Sequence, residues 1–500
     1  MVLQKEVTNG LEWRIRVEDV SSETLVPAAS LASRVWLGLK NMIVSLVLKV
    51  WRFLQKAWNL AVDEPRKVIH CLKVGIALTF VSLFYYMRPL YDGVGGNAMW
   101  AIMTVVVVFE NTVGATISKS LNRICGTFLA GFLAIGVHWI ASQSGDQLEP
   151  LIIGASVFIL ASAATFSRFI PSVKQRFDYG ALIFILTFSL VTVSGYRVEK
   201  LFDLAHQRIS TIIIGTTLCI LVSMLICPIW AGKDLYNLII RNMDKLANSL
   251  DGCVAEYFNH CGGFNESGEE AHKKILSYKC VLNTKATEES MANFARWEPA
   301  HGLFNFRHPW KQYLKIGASI RSCAYCIEAL NSCINSENQG PAFVKNHLSN
   351  TCLKVSSTSS RVIKELANAI KTMKKSSTVE LLVGEMNTAV KELQNDLKSL
   401  SGLCNPTQQS EAATPENKKT EKISKQMATI PLMGMISMVT FASLQIEIAL
   451  RIESLVEAVE ELGELAKFEH AENKPNLQPN IKVAPDEQRD EETVKTFQKV

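Results

Sequence analysis

The chain has 500 residues, of which 48% are hydrophobic, and its formal net charge is +5 at pH 7. This length exceeds that of an ordinary single domain, so we expect at least two domains. The small net charge, without a basic cluster interleaved with aromatic residues, argues against a nucleic-acid partner.

The amino-terminal segment is predicted to stay out of the membrane interior. Residues 1–30 are polar and are predicted to be disordered, and they show no signal peptide. Residues 31–62 combine basic residues with Trp36, Trp51 and Trp58 and have no long uncharged run. This pattern predicts an amphipathic helix lying in the headgroup layer. A seventh membrane-crossing helix is the alternative interpretation.

Six apolar runs fill residues 63–232 almost without a break. They cover residues 68–87, 98–116, 124–141, 151–169, 179–194 and 209–229. One crossing of the hydrocarbon core needs ~20 predominantly apolar residues, so six crossings fit this stretch with little sequence left over for loops. The short connections predict a six-helix transmembrane bundle built from three helical hairpins.

The charges in the predicted connections set the orientation of the bundle. Lys119 and Arg123 fall in the second predicted loop, and Lys174 and Arg176 fall in the fourth. The third predicted loop, residues 142–150, holds no Lys or Arg. Because basic residues are retained on the cytosolic side, this asymmetry predicts that both termini lie in the cytosol.

Beyond residue 232 the sequence becomes amphipathic. Residues 233–400 show helical periodicity with charges opposite the apolar face, which predicts a cytosolic helical domain. A polar linker over 401–426, a long amphipathic helix over 427–468 and a disordered tail over 469–500 follow. The predicted fold class is therefore all-α, with a transmembrane bundle and a carboxy-terminal cytosolic helical domain.

Basic residues within or beside the apolar runs are the candidate functional groups, because a charge inside a membrane is costly and marks a path for an ion. For Lys73 and Arg208 we favour a place in an anion pore over snorkelling to the headgroups. For Lys119, Arg123 and Arg176 the two interpretations stay open.

Acidic residues fall into two groups. Glu110 ends an unbroken apolar stretch, where it forms either a gate with a basic partner or a purely structural ion pair. Asp92, Glu199 and Asp203 fall on the predicted extracellular side. Carboxylates are hard ligands that suit small, highly charged cations, but these three are equally compatible with ordinary solvated loop acids.

Signals for catalysis are missing from the sequence. It contains no P-loop, no G-x-S-x-G and no H-E-x-x-H. Cys323 and Cys326 form a C-x-x-C without a second pair at zinc-binding spacing. We therefore expect no enzyme activity, no catalytic residue, no established metal site and no cofactor.

Several distinctive motifs follow one another along the chain. They are 63–67 (DEPRK), 99–110 (MWAIMTVVVVFE), 114–116 (GAT) with 121–123 (LNR), 227–232 (CPIWAG), 297–302 (WEPAHG) and 308–311 (HPWK). Together they resemble the plant aluminium-activated malate transporter family. The resemblance is strong over about residues 63–335 and weaker elsewhere.

The resemblance implies a homodimeric anion channel with its pore between the two subunits. Its implied site residues are Lys73, Lys174, Arg197 and Arg208 in the pore, Glu110 at the gate, and Asp92, Glu199 and Asp203 where aluminium-responsive members bind the cation. Within the 297–302 motif we interpret Trp297 and Pro299 as anchors of a turn between cytosolic helices. Glu298 and His301 are expected to cap a helix or to pair.

The predicted function is conduction of malate and of inorganic anions such as chloride and nitrate, by a multi-pass protein surrounded by membrane lipids. Voltage, malate and aluminium are candidate gating stimuli. The plasma membrane is favoured over the vacuolar membrane because no vacuolar sorting signal stands out. A coupled secondary organic-anion transporter and a non-conducting membrane scaffold remain as alternatives.

Overall fold

The computed structural model describes residues 13–14, 24–25, 31–87, 98–145, 147–195, 201–259, 272, 275–305, 307–334, 341–404 and 432–470. These residues are almost entirely helical. Most of residues 1–30, the predicted linker after residue 404 and the tail after residue 470 lie outside the described residues. The chain divides into two compact units, Met1–Phe80 and Val81–Val500.

The first unit contains a long exposed helix. Helix α1 spans Leu31–Asp63 and helix α2 spans Pro65–Tyr86, of which the part up to Phe80 belongs to this unit. Proline suits the first position of α2 because its fixed φ is helical and its missing N–H is not needed there. The three tryptophan side chains of α1 are exposed: Trp36, Trp51 and Trp58. A place for α1 in the headgroup layer stays a prediction.

The second unit begins with a group of apolar helices. Helices α3 to α7 span, in order, Ala98–Val108, Val113–Gln143, Glu149–Ser167, Pro171–Gly195 and Leu201–Leu225. Helices α4 and α6 approach closely at Gly126 and Gly180, where a Cβ on Gly126 would stand 2.7 Å from the carbonyl oxygen of Gly180. Small residues at such a crossing let two membrane helices pack backbone to backbone.

The predicted boundary between the second and third apolar runs is wrong. Helix α3 ends at Val108, and a new helix of 31 residues starts at Val113. The side chain of Thr112 caps this new helix by accepting a hydrogen bond from the N–H of Ala115 at 3.3 Å. A capping threonine satisfies an N–H group that has no partner within the helix, so it fixes the break.

Four basic residues consequently lie in helices and not in the predicted loops. Lys119 and Arg123 lie inside α4, and Lys174 and Arg176 lie in the first two turns of α6. The error arises because a charge within an apolar run was taken to interrupt the helix. Here the helix continues through the charges.

Five described helices are long and apolar enough to cross a membrane. The corresponding segments are Val113–Gln143, Glu149–Ser167, Pro171–Val193, Arg208–Leu225 and Met435–Leu465. Helix α3 is apolar but has only 11 residues, and α2 is not among the five. These segments support a membrane protein, whereas the count of six crossings stays a prediction.

Helices α8 to α14 enclose a second hydrophobic core. They span Ala231–Asn259, Tyr278–Leu282, Lys285–Ala295, Trp310–Ile334, Ala342–Thr372, Thr378–Cys404 and Leu432–Leu465. Their buried faces form one continuous cluster of apolar side chains. The amphipathic periodicity of this region therefore corresponds to helices, as the sequence predicts.

Helix α14 belongs to this second core although its composition also suits a membrane span. Its Phe441 stacks on Tyr257 of α8, with ring centroids 3.9 Å apart. The side-chain amide of Gln312 donates to the carbonyl of Ala458 in α14 at 2.8 Å. These contacts hold α14 against α8 and α11 within the second core.

The described residues also include two short strand pairs that the sequence does not predict. Strands β1, Trp13–Arg14, and β2, Thr24–Leu25, are antiparallel. Strands β3, Lys374–Lys375, and β4, Glu469–His470, are parallel. Strands of two residues are too short to show alternation in a sequence.

Candidate anion pathway

Two buried arginines lie close together among the apolar helices. Arg123 of α4 and Arg208 of α7 are each only 7% exposed. The positive charge of Arg123 acts on the guanidinium of Arg208. Neither arginine forms an ion pair with a described residue. Two like charges in a water-poor setting repel one another, so an anion between or beside them relieves the repulsion.

Aromatic residues hold both guanidinium groups. The central carbon of the Arg208 guanidinium lies 4.0 Å from the centroid of the Trp100 ring of α3. Arg123 donates from Nη1 to the hydroxyl of Tyr179 of α6 at 3.1 Å. The buried Nε of Arg123 has no hydrogen-bond partner among the described residues. Each guanidinium is thus oriented by a neutral group, which leaves its charge uncompensated.

An ion pair sits one helical turn from Arg123, at the break between α3 and α4. Lys119 pairs with the carboxylate of Glu110, and its Nζ lies 5.7 Å from the centroid of the Tyr179 ring. The backbone N–H of Glu110 donates to the hydroxyl of Thr116 at 3.1 Å. This hydrogen bond connects Glu110, which lies within the break, to the first turn of α4.

These groups form one connected set, which we call the basic cluster. Its members are Trp100, Glu110, Lys119, Arg123, Tyr179 and Arg208. Three cations stand against one carboxylate, so the cluster carries a net charge of +2. An excess of positive charge with several N–H donors is the kind of arrangement that favours an anion.

Lys73 and Lys174 also lie in described helices, and four other predicted site residues lie wholly or partly outside the described structure. Lys73 lies in α2 and is 1% exposed. Lys174 is exposed near the start of α6. Arg197, Asp92 and Glu199 lie outside the described residues, and so does the side chain of Asp203, whose backbone is in the first turn of α7.

The sequence analysis missed Trp100 and Tyr179. Trp100 stands in a conspicuous motif, but its contact with Arg208 joins residues that are 108 positions apart. Tyr179 lies 56 positions from Arg123. The only local signal was the four-residue spacing of Lys119 and Arg123, which places both side chains on one face of a helix.

A buried carboxylate lies where the apolar helices meet the second core. Glu298 is 3% exposed, and its two oxygens accept hydrogen bonds from the N–H groups of Ala231 at 2.6 Å and Gly232 at 3.1 Å. These N–H groups open helix α8, so the carboxylate caps that helix from 66 residues away. A Cβ on Gly114, in the first turn of α4, would stand 2.9 Å from Cγ of Glu298.

Burial raises the pKa of Glu298 to about 7. Hydrogen bonds from the backbone of Gly232, Ala231 and Gly114 oppose this rise, and the charge of Asp234 adds to it. His301 lies nearby, with Nε2 3.9 Å from a Glu298 oxygen. Its ring stacks on Trp230 at 3.9 Å between centroids. The 297–302 motif therefore supplies a helix cap and an aromatic stack at one place.

Comparisons with known proteins show that the chain is similar to transporters. A family model described as "Aluminium activated malate transporter" matches residues 58–429. The chain is 53% identical over 490 residues to "Aluminum-activated malate transporter 10" of Arabidopsis thaliana, covering 95% of this chain and 98% of the relative.

Two further relatives bear related names. "Aluminum-activated malate transporter 2" of Arabidopsis thaliana is 45% identical over 423 residues, covering 84% of this chain and 79% of the relative. "Aluminum-activated malate transporter 1" of Triticum aestivum is 39% identical over 448 residues, covering 88% of this chain and 91% of the relative.

Proposed function

Because this chain belongs to the aluminium-activated malate transporter family, a family of transporters and not of enzymes, we propose that it is a channel that lets malate cross a membrane by electrodiffusion. The names of its relatives and its membrane-length apolar helices support malate transport across a membrane. Chloride and nitrate are proposed as further permeant anions, because a basic pathway attracts any small anion.

The observation that carries the proposal is the pair of buried arginines. A malate dianion that enters the membrane loses hydration, and guanidinium N–H groups replace part of what it loses. Arg123 and Arg208 repel one another when the site is empty, so binding is favoured. Because their other contacts are to neutral aromatic groups, no protein carboxylate competes for the two charges within the described structure.

The Glu110–Lys119 pair is proposed as the gate. It lies at the break between α3 and α4, where a small change in backbone direction moves both side chains. When the pair is intact, Lys119 is neutralised and the positive potential falls. When the pair opens, the cluster gains a free ammonium for the passing anion. Voltage, malate and aluminium are proposed stimuli that shift this equilibrium.

The remaining parts of the proposal follow the family. They are a homodimer with six crossing helices in each subunit, both termini in the cytosol, residence in the plasma membrane and α1 among the lipid headgroups. The residues proposed along the anion path are Lys73, Lys174, Arg176 and Arg197. The residues proposed as aluminium ligands are Asp92, Glu199 and Asp203. The excess of basic residues on one side of the bundle supports the sidedness.

The test is the malate current of Arg123→Gln and Arg208→Gln in a heterologous cell. A charge-assisted hydrogen bond contributes ~1.5–3 kcal/mol, so each substitution is expected to lower malate conductance about tenfold or more. Surface labelling must show that the variants reach the membrane. Arg361→Gln, an exposed arginine paired with Glu385 on the second core, is the control and is expected to leave the current unchanged.

Two results would contradict the proposal. The first is an unaltered malate current in both variants at normal surface expression. The second is a reversal potential that follows a co-transported ion and not the malate gradient, which would indicate a coupled carrier.

A further inference from the structure

A second basic site lies beside the basic cluster and does not share its residues. A cavity of about 260 Å³ opens between the first turns of α4 and α6 on one side and the end of α10 on the other. Arg176 of α6 and Arg296, which follows α10, line the same cavity. The sequence leaves Arg176 open between a place in the pore and snorkelling to the headgroups, and it does not single out Arg296.

The lining of this cavity is rich in hydrogen-bond donors. Six of its side chains can donate: Ser118, Gln175, Arg176, Asn293, Arg296 and Trp297. The two others are phenylalanines, and no lining residue is a carboxylate. Several donors without a competing carboxylate are surroundings that favour an oxyanion, since the oxygens of the anion accept hydrogen bonds.

The two arginines keep their charge available. Neither forms an ion pair with another residue of the described structure. Asp178, two residues beyond Arg176, is already engaged by Arg168, whose Nε donates to its carboxylate at 2.7 Å. The nearest acid on α6 is therefore neutralised by a different partner, and the cavity keeps the charges of both guanidinium groups.

The walls of the cavity are held by contacts that do not involve the proposed ligand. The amide of Asn122 in α4 donates to the backbone carbonyl of Arg176 at 3.1 Å, which fixes the start of α6 against α4. The N–H of Trp297 donates to the carbonyl of Phe294 at 2.9 Å, which fixes the turn after α10. A preformed site loses less conformational entropy when its ligand binds.

The ligand chemistry follows from the number and type of donors. A carboxylate has two oxygens and is satisfied by one guanidinium, whereas a phosphate group presents three or more oxygens in a tetrahedral arrangement. Two arginines together with amide, hydroxyl and indole donors match a phosphate group. The volume accommodates a group of phosphate size.

We propose that this cavity, lined by Arg176 and Arg296, is a binding site for a phosphate group. The group comes either from inorganic phosphate in solution or from the headgroup of an anionic lipid. The exposed Phe177 at the rim, at the start of a membrane-length helix, makes the lipid source reachable. The proposal does not depend on malate conduction, because phosphate binding is measured without a malate current and Arg296 is not among the residues proposed for the anion path.

The experiment uses the purified full-length chain and two phosphate sources. In one arm, binding of radiolabelled inorganic phosphate is measured in nanodiscs of phosphatidylcholine. In the other, native mass spectrometry counts phosphatidic acid retained by the detergent-solubilised protein, with phosphatidylcholine as the reference lipid. Both arms compare wild type, Arg176→Gln, Arg296→Gln and the control Arg241→Gln, an exposed arginine on α8.

We expect each cavity variant to weaken binding about tenfold or more and Arg241→Gln to have no effect, since a charge-assisted hydrogen bond is lost only in the cavity. Loss in the first arm identifies free phosphate as the ligand, and loss in the second identifies the lipid headgroup. Arg296→Lys keeps the charge without the guanidinium fork and is expected to bind with intermediate affinity.

The proposal is overturned if neither phosphate source binds, or if the cavity variants bind as Arg241→Gln does. Thermal unfolding of each variant is measured to detect a folding defect. If a glutamine variant does not fold, the comparison of Arg296→Lys with wild type decides. Neither arm measures malate current, so failure here leaves the pore proposal standing.

Discussion

At the scale of single residues, Glu298 has its carboxyl group in a buried position, where the ionised form is costly. Its carboxylate is buried, and its two N–H partners open helix α8. The favourable end of the helix macrodipole and these hydrogen bonds compensate part of the desolvation cost, and the raised pKa shows that the compensation is incomplete. The residue is thus protonated in the folded protein at pH values where it is ionised in the unfolded chain.

This shift predicts a pH-dependent stability. Between pH 4.5 and about 7 the folded chain binds more protons at Glu298 than the unfolded chain does, so the contribution of this residue is full below pH 4.5 and is lost as the pH rises to about 7. The loss has a maximum slope of ~1.4 kcal/mol per pH unit. We expect Glu298→Gln to lack this loss.

The measurement is the melting temperature of both proteins in neutral detergent from pH 5 to pH 7.5. Burial lowers the pKa of His308 to about 4, so its stabilising contribution decreases as the pH falls below its ordinary value. The contribution of His308 is the same in both proteins, so the difference between their melting temperatures reports on Glu298 alone. A constant difference across the range would mean that Glu298 does not titrate there.

At the scale of elements, the start of α4 is packed against the end of α10 without spare room. A Cβ on Gly114 would lie 2.3 Å from the carbonyl oxygen of Phe294, which is shorter than any real contact. Since that carbonyl is backbone, it can move only with its helix. Gly131, farther along α4, has no atom within 4 Å of such a Cβ.

These two glycines predict opposite outcomes for the same substitution. Gly114→Ala is expected to push α10 away from α4 and to destabilise the protein by ~1–3 kcal/mol, as overpacking does. Gly131→Ala is expected to be neutral or to stabilise by up to ~1 kcal/mol, because alanine is the better helix former. Thermal unfolding of the two variants side by side tests this. Equal melting temperatures would show that α10 does not press on Gly114.

Elements were predictable from the sequence where their periodicity was strong. Helix α13 begins within the predicted helical region 233–400, because charges and apolar residues recur with helical spacing there. The break between α3 and α4 is not predicted, although Glu110, Asn111 and Thr112 interrupt the apolar sequence there. The sequence predicts that Glu298 caps a helix or pairs, but its partner lies 66 residues away, so no local pattern identifies which helix it caps.

At the scale of the whole molecule, the two hydrophobic groupings in the second unit differ in where their charges lie. The basic cluster sits inside the group of apolar helices, whereas the acids of α14 lie on the outer side of the second core, where Lys315 contacts Glu461 at 2.9 Å. This segregation is what a membrane part and a water-facing part of one chain require.

The predicted sidedness can be tested directly. Both termini are expected in the cytosol, because the basic residues near the ends of the apolar helices favour that side. Epitope tags at residues 1 and 500 should bind antibody only after the cell is permeabilised. An extracellular tag on a reference membrane protein in the same cells controls for leakage. Labelling of either terminus in intact cells would reverse the topology.

One backbone hydrogen bond connects the start of α4 to the segment before α8. The N–H of Val113, the first residue of α4, donates to the carbonyl of Ile229 at 2.9 Å, immediately before α8. The hydrogen bonds from Ala231 and Gly232 to Glu298 hold the same end of α8. We expect a displacement of the start of α8 to move the base of α4, the helix that carries Lys119 and Arg123 of the basic cluster.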